Sequence, residues 1–323
     1  MQRELTLEVL VDAEDRRRAL RRDARAGLTG AAKELPPTWF YDETGSRLFE
    51  EITRLPEYYQ CRAERAILTE AAPQIAAASG ADTLVEIGSG TSEKTRLVLD
   101  ALVAQGTLER VVLFDISREV LVEAADELGQ RYDVDVHAVV GDFRQHLGHV
   151  PRGGRQLWAF LGGTIGNLVP PDRHELLSCI RDGVGRNGHL LLGTDLEKDR
   201  ARLVAAYDDA AGVTAAFNRN VLSVVNHELG ADFDPALFDH RAVWNEREGW
   251  IEMRLRARRG HTVTVGDLGV SVEFDAGEEI LTEISAKFTP SGLARELAAA
   301  GLRSEHAWSD GSGDFLLTLA RAA

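Results

Sequence analysis

The residues with the clearest chemical potential stand at the ends of successive apolar runs. The first run closes as Val85-Glu86-Ile87-Gly88-Ser89-Gly90-Thr91-Ser92. Glycines at 88 and 90 let backbone approach a ligand closely. The next run ends on Asp115, where a carboxylate can take both hydroxyls of a ribose. A third ends on Asp142-Phe143, a pair able to hold the amino edge of a purine and stack against it. Glu86 and Asp115 are 29 residues apart, the length of one βαβ unit. In a doubly wound parallel sheet, ligands bind at such strand ends.

Gly-x-Gly alone is a weak signal, because ordinary turns also use glycine. Three suitable strand ends in the right order are stronger. The dinucleotide fingerprint Gly-x-Gly-x-x-Gly fails, since Glu93 stands three after Gly90. No Gly-x-x-x-x-Gly-Lys-Ser/Thr phosphate loop occurs. A nucleoside cofactor without a pyrophosphate remains, and S-adenosylmethionine fits. Its adenine would lie at Asp142-Phe143, its ribose at Asp115 and its methionine part over Gly88-Ser89-Gly90.

The elements that must carry these ends follow from periodicity. Short apolar runs at 82–87, 110–115, 135–140, 156–161 and 188–193 read as strands. Between them, helical spacing predicts helices over 92–105, 117–131 and 172–182. Ser92 is the expected N-cap of the first and Gly183 the expected C-cap of the last. Continuous apolar strands joined by helices mean a buried parallel sheet covered on both faces. After Asp195 the alternation stops. One long helix is expected over 199–217. Runs at 243–245, 251–258, 262–265 and 270–274 then alternate as an antiparallel sheet with one wet face. Met253, Leu255 and Ala257 share its dry side. A helix over 291–300 and a hairpin, 306–309 with 315–319, return to the first sheet. The segment 199–285 therefore reads as an insertion. In the first 60 residues an arginine-rich helix, 16–25, is expected to stop at Pro36-Pro37, and this part joins the insertion over the ligand edge.

Composition narrows the class. The 323 residues carry 37 Lys and Arg against 52 Asp and Glu, a formal charge of −15, which disfavours nucleic acid as the main partner. The longest uncharged run, 156–171, is too short and too broken by Gly and Pro to cross a bilayer. No apolar segment follows Met1-Gln2-Arg3-Glu4, so no secretory signal is expected. Two distant cysteines, Cys61 and Cys179, suit a reducing cytoplasm. The nine histidines show no metal-ligand spacing, so no metal is expected. A monomer is the expected state.

Four strings are more specific: 84–96 (Leu-Val-Glu-Ile-Gly-Ser-Gly-Thr-Ser-Glu-Lys-Thr-Arg), 160–168 (Phe-Leu-Gly-Gly-Thr-Ile-Gly-Asn-Leu), 206–218 (Ala-Tyr-Asp-Asp-Ala-Ala-Gly-Val-Thr-Ala-Ala-Phe-Asn) and 279–288 (Glu-Ile-Leu-Thr-Glu-Ile-Ser-Ala-Lys-Phe). Together they resemble the histidine N-alpha-methyltransferases of ergothioneine biosynthesis, over nearly the whole chain. The first string alone would suggest only a methyltransferase. The resemblance implies an α/β fold, a class I methyltransferase (Rossmann-like) doubly wound sheet with an inserted α+β substrate-binding domain. Residues 1–59 and 199–285 would form the substrate-binding domain, and 60–198 with 286–323 the cofactor domain. It implies trimethylation of the L-histidine alpha-amino group to hercynine, with S-adenosyl-L-homocysteine as the other product and no metal.

A free amino acid must be held by its carboxylate, amine and side chain for the amine to face a methyl group in line. Asn167 follows the fourth predicted strand, and its amide both donates and accepts. On spacing alone a turn asparagine explains it nearly as well; the resemblance implies substrate binding there, and at Gly162. Tyr41, Tyr58, Tyr59 and Tyr207 are four of five tyrosines. Each is as readily packing as function by type. The resemblance implies Tyr58 and Tyr207 at the carboxylate and Tyr41 at the amine, and leaves Tyr59 as packing. Glu283 and Ser285 alternate onto one strand face, where most carboxylates are simply solvated. The resemblance sets both against the imidazole nitrogens, with Met253 packing on the ring. It also implies that Lys94 contacts the cofactor, although a solvated helix lysine would look the same. One departure stands out: Ser92 occupies the place of a third glycine in the common motif.

Overall fold

The computed structural model describes residues 5–323. Residues 1–4, where the absence of a signal segment was expected, lie outside the described residues. The chain begins with strand β1 (Leu5–Val9), helix α1 (Ala13–Thr29), the short β2 (Lys33–Glu34), α2 (Glu43–Thr53) and α3 (Gln60–Ser79). Strands and helices then alternate: β3 (Thr83–Ile87), α4 (Thr95–Gln105), β4 (Arg110–Asp115), α5 (Arg118–Arg131), β5 (Asp135–Val140), α6 (Phe143–His146), β6 (Gln156–Phe160), α7 (Pro170–Val184) and β7 (His189–Asp195). Next come α8 (Arg200–Ala205), α9 (Val213–Leu229), β8 (Phe238–Asn245), β9 (Trp250–Ala257), β10 (His261–Val265), β11 (Val270–Phe274) and β12 (Glu279–Ala286). The chain closes with α10 (Pro290–Ala299), β13 (Leu302–Ser309) and β14 (Phe315–Ala322). No helix among the described residues is long and apolar enough to cross a membrane.

Two units divide the chain. The first holds the described residues up to Val11, then Gln60–Glu197 and Phe288–Ala323; the second holds Asp12–Tyr59 and Lys198–Lys287. The expected division placed all of 1–59 with the insertion. The structure instead groups β1 with the first unit, because β1 pairs in parallel with β5. The other expected edges, 198/199 and 285/286, fall at 197/198 and 287/288.

The first unit is an eight-stranded sheet ordered β1-β5-β4-β3-β6-β7-β14-β13. Its strands β3, β6 and β7 are buried along their whole length, as strands covered on both faces must be. The order reverses between β3 and β6, which makes that point the topological switch, where ligands bind in such sheets. Only β14 and β13 break the parallel pattern, as the predicted closing hairpin. Leu84, Val111, Leu113, Val98, Leu102 and Ile75 form part of the core beneath the sheet.

The second unit is built on a four-stranded sheet, β2-β12-β9-β8, and a separate hairpin, β10-β11. The single antiparallel sheet expected here is thus two. Met253, Leu255 and Ala257 are buried as predicted. A register shift between Leu281 and Glu283 leaves Thr282 as the extra residue of a bulge and sets Glu283 opposite Met253. The Thr282 hydroxyl donates to the Met253 carbonyl at 2.9 Å, fixing the bulge.

Several predicted ends move. The first helix stops at Gly30, well before Pro36. Gly183 is not a cap: α7 runs past it to Val184, and a Cβ there would stand 2.5 Å from the Trp158 indole. The long helix expected over 199–217 is two helices. Gly212, with φ +76°, breaks the run, and the Asp209 carboxylate accepts from Val213 N and Thr214 N to start α9. Ser92 does not cap α4, which begins at Thr95.

Candidate active site

In the first unit, the exit of β3 turns back on itself. Gly88 N–H and Ser89 N–H both reach the Phe114 carbonyl, at 2.8 and 3.2 Å. Gly88 and Gly90 have φ of +68° and +48°, and the space a Cβ would take at either is open. Ser89 is buried, and its hydroxyl has no partner among the described residues. Asp115, at the end of β4, accepts from Gly90 N at 2.9 Å and from Ser117 N at 2.8 Å. Burial raises its carboxyl above the usual range, opposed by these N–H groups. Asp142 caps α6 by accepting from Arg144 N, and Gln145 Nε2 donates to it at 3.0 Å. The Phe143 ring lies half-buried, 5.4 Å from Phe160. Gly88, Ser89, Gly90, Asp115, Asp142 and Phe143 thus all stand where the strands leave the sheet.

Lys94 is engaged within this unit. Its ammonium pairs with the fully buried Glu64 carboxylate of α3. That carboxylate also accepts from Gly162 N, at 2.9 and 3.0 Å to its two oxygens. Desolvation, the largest single effect, lowers the Lys94 pKa, but the Glu64 charge and hydrogen bond together with Cys61 and Glu86 outweigh it, and the net direction is up. Glu64 therefore ties the start of α4 to the exit of β6. There Gly162 and Gly163 both take positive φ before the turn Thr164–Asn167. The half-buried Asn167 side chain makes no hydrogen bond among the described residues.

Ser92 resolves its own anomaly. Its φ is +53°, the left-handed conformation a third glycine would supply freely. Its hydroxyl donates to Glu86 at 2.6 Å, and Thr95 donates to the other oxygen of the same carboxylate. Burial still pushes the Glu86 pKa up to about 7.

The second unit gathers residues scattered widely along the chain. Tyr41, Phe49, Tyr58 and Tyr207 form a row of edge-on rings with centroids 5.6, 6.3 and 6.2 Å apart. Tyr41 is held next to Asp42, which caps α2 and accepts from Asn220 Nδ2 at 2.7 Å. Gly45 lets this turn close, since a Cβ there would meet the Phe40 carbonyl at 1.7 Å. The Tyr207 carbonyl accepts from His240 Nε2 at 2.7 Å, while Asn218 Nδ2 donates to His240 Nδ1 at 2.8 Å. Burial lowers the His240 pKa, which keeps the ring neutral in this role. Tyr59 takes the Lys198 ammonium on its hydroxyl and over its ring face.

On β12 the side chains of Glu283 and Ser285 are buried. The Ser285 and Tyr207 hydroxyls meet at 2.7 Å. Lys287 Nζ donates to each of them at 2.9 Å. The Glu283 carboxylate receives no hydrogen bond among the described residues. Burial pushes its pKa up to about 7, opposed by the Lys287 charge.

Comparison with known proteins places the chain in a family. Residues 20–322 match the family model of a histidine-specific methyltransferase, SAM-dependent. The chain belongs to that family. The histidine N-alpha-methyltransferase of Mycolicibacterium smegmatis is 56% identical over 317 residues, covering 98% of this chain and 99% of that one. Ergothioneine biosynthesis protein 1 of Schizosaccharomyces pombe is 32% identical over 271 residues, covering 79% of this chain and 34% of that much longer one. A S-adenosylmethionine-dependent methyltransferase from Clostridium acetobutylicum has the same fold: TM-score 0.50 at 10% identity, covering 86% of this chain and 98% of that one. The enzyme is thus an S-adenosylmethionine-dependent methyltransferase of the class I fold, as the sequence implied. The open glycine turn and the orphaned Ser89 hydroxyl fit that cofactor. Sequence reasoning missed Glu64, His240 and Lys287. Only Lys287 left a trace, inside the matched string 279–288 and among just four lysines.

Proposed function

We propose that the enzyme transfers three methyl groups to the alpha-amino group of L-histidine, giving hercynine in ergothioneine biosynthesis. The observation that carries this is Glu283: a buried carboxylate without a donor, opposite Met253 and two residues from Ser285. A buried polar group left unpaired is costly, so a site that keeps one is built for a ligand's donor. An imidazole N–H is such a donor, and Ser285 can serve the other ring nitrogen. Amino acids without that ring N–H leave the carboxylate unpaired, a difference that can reach ~10⁴-fold in selectivity.

The first unit is the cofactor unit in this reading, and the second binds substrate. Gly88, Ser89 and Gly90 would hold the methionine part of S-adenosylmethionine, Asp115 the ribose, and Asp142 and Phe143 the adenine, with Lys94 and Glu64 shaping the wall. When bound, the cofactor supplies an electrophilic sulfonium methyl. Tyr58, Tyr207 and Asn167 orient the substrate carboxylate, with Gly162 shaping the Asn167 turn. Tyr41 and Asn167 direct the amine lone pair. A model alpha-amino group has a pKa of ~7.7–8.0, so the amine must shed a proton to water before each transfer. Methylation stops at three because a quaternary nitrogen has no lone pair. The chain works as a monomer in the cytoplasm, consistent with its two free cysteines.

The test is mass spectrometry of the twenty free amino acids, each incubated separately with enzyme and S-adenosylmethionine. Histidine alone should gain three methyl groups. Preference for another amino acid would overturn the Glu283 assignment, and a dimethylated end product would overturn the trimethylation.

A further inference from the structure

Glu64 does more than line a wall. Its carboxylate is fully buried on α3 and joins two segments that carry candidate ligand contacts. It takes the Lys94 ammonium at the start of α4. It also accepts from Gly162 N, at 2.9 and 3.0 Å to its two oxygens, where β6 leaves the sheet. These partners stand 30 and 98 residues away in sequence, and all three residues belong to the first unit. A buried charge is costly unless it is paired and hydrogen-bonded, and Glu64 is both.

The neighbouring strand is shaped around it. Gly193 lies within β7, and its φ is not positive, so no backbone conformation calls for glycine there. A Cβ at Gly193 would stand 2.2 Å from Glu64 Oε1. A fully buried strand thus forgoes a side chain to admit this carboxylate.

The far end of the same turn is also held. Arg173 of α7 is buried, and its Nη1 donates to the Leu168 carbonyl at 2.8 Å. Its Nε and Nη2 donate to the two oxygens of Glu296 on α10, both at 2.8 Å. A guanidinium held bidentately is fixed in orientation as well as place. Segment 162–168 is therefore anchored by Glu64 at its entry and by Arg173 at its exit. Between the anchors, the Asn167 side chain makes no hydrogen bond among the described residues. Lys94 keeps donors in reserve too: an ammonium has three, and among the described residues only Glu64 accepts one.

We propose that Glu64 is a positioning residue that sets Lys94 and the Gly162–Asn167 turn in register, so that one buried carboxylate places a cofactor contact and a substrate contact together. This rests on the roles given to Lys94 and Asn167 in the reading above and deepens them. Glu64 leaves two Lys94 donors for an anionic group of the cofactor, its methionine carboxylate. It also fixes the peptide from which the Asn167 turn starts.

Glu64→Gln keeps the shape and removes the charge. Its amide accepts at one atom only and turns a donor toward either Lys94 or Gly162 N, so one tie breaks and the other weakens. Wild-type S-adenosylmethionine binding and histidine methylation are measured first, beside Lys94→Gln and Asn167→Ala. If Lys94→Gln keeps wild-type cofactor affinity, or Asn167→Ala the wild-type histidine KM, that residue's assignment falls, and this inference with it. Where both assignments hold, Glu64→Gln should raise the cofactor dissociation constant by calorimetry and the histidine KM, each by about 10-fold or more, the worth of one charge-assisted hydrogen bond. Glu64→Gln combined with Lys94→Gln should lose no more cofactor affinity than the worse single variant, because Glu64 acts there through Lys94. Arg173→Lys, which lacks the planar fork that spans Glu296 and Leu168, should raise the histidine KM alone. Wild-type values of both constants in folded Glu64→Gln, a rise in only one of them, or additive losses in the double variant would overturn the shared placement and leave the histidine reading intact. If Glu64→Gln lacks the wild-type near-ultraviolet spectrum, Glu64→Asp, which withdraws the charge by one methylene, is read against the same criteria.

Discussion

Glu86 and Glu283 are the same residue in nearly the same physical state, one in each unit, and their surroundings differ in a single respect. Both are buried, at 4% and 9% exposure, and desolvation lifts both pKa values to about 7. Glu86 sits near the end of a central strand and receives two hydroxyl hydrogen bonds, from Ser92 and Thr95. Glu283 follows a bulge on β12 and receives none among the described residues. The first carboxylate is satisfied from within and builds the turn over which Gly88 and Gly90 lie. The second has no donor from the protein among the described residues, and in the proposed reading a ligand's N–H supplies one.

The comparison breaks most visibly if the two glutamates are replaced by leucine. Glu283→Leu should lower kcat/KM for histidine by about 10³-fold or more, since the ring N–H loses its acceptor. Cofactor affinity should be retained, and stability at pH 8 should rise by about 1–3 kcal/mol, because an unpaired buried charge gives way to an apolar group. Glu86→Leu should do the reverse to the fold. It leaves the Ser92 and Thr95 hydroxyls without their acceptor, at about 1–3 kcal/mol for each group. Thermal melts beside a histidine titration test both; equal melting shifts for the two variants would erase the distinction.

The pH dependence sharpens it. A carboxyl with a folded pKa near 7 and an ordinary value of 4.5 unfolded binds its proton more tightly when folded. Its contribution to stability is full below about pH 4.5 and is lost as pH rises to 7, by at most about 3 kcal/mol per group. Glu283→Gln should therefore flatten the fall in melting temperature between pH 5 and 8. Saturating histidine should flatten it in the wild type, because a ring N–H donor favours the ionised carboxylate. If the Gln variant keeps the full wild-type slope, Glu283 does not titrate in that range.

The two units also differ in how far the sequence alone revealed them. The first unit was legible because its candidate residues sit at strand ends, and each end is a local pattern: Gly88-Ser89-Gly90, Asp115, Asp142-Phe143. Parallel strands buried on both faces announce themselves as apolar runs. Strand β1 was not legible, since Leu5, Leu7 and Val9 are exposed along an edge and show no run. Glu64 was hidden because its partners Lys94 and Gly162 lie 30 and 98 residues away. The second unit assembles Tyr41, Tyr58, Tyr207, Met253 and Glu283 from distant segments, and no spacing rule joins them. Only the family resemblance named them. The bulge that sets Glu283 opposite Met253 left no mark in the alternation either, because Thr282 passes as an ordinary strand residue.

Ser92→Gly gives the smallest expected effect and tests the satisfied half of the comparison alone. Serine at φ +53° costs about 1–2 kcal/mol that glycine avoids. Against this, glycine removes the 2.6 Å hydroxyl donor to Glu86, worth about 1.5–3 kcal/mol when the acceptor is charged. At pH 8 the lost bond outweighs the relieved strain, and the variant should be less stable by about 1 kcal/mol. At pH 5, with Glu86 protonated, the bond is an ordinary neutral one and the two effects nearly cancel. The glycine variant should therefore melt with the wild type at pH 5 and below it at pH 8. Equal melting at both values would mean that the Glu86 charge is held by Thr95 without help from Ser92, and that the serine is merely tolerated in a glycine's place.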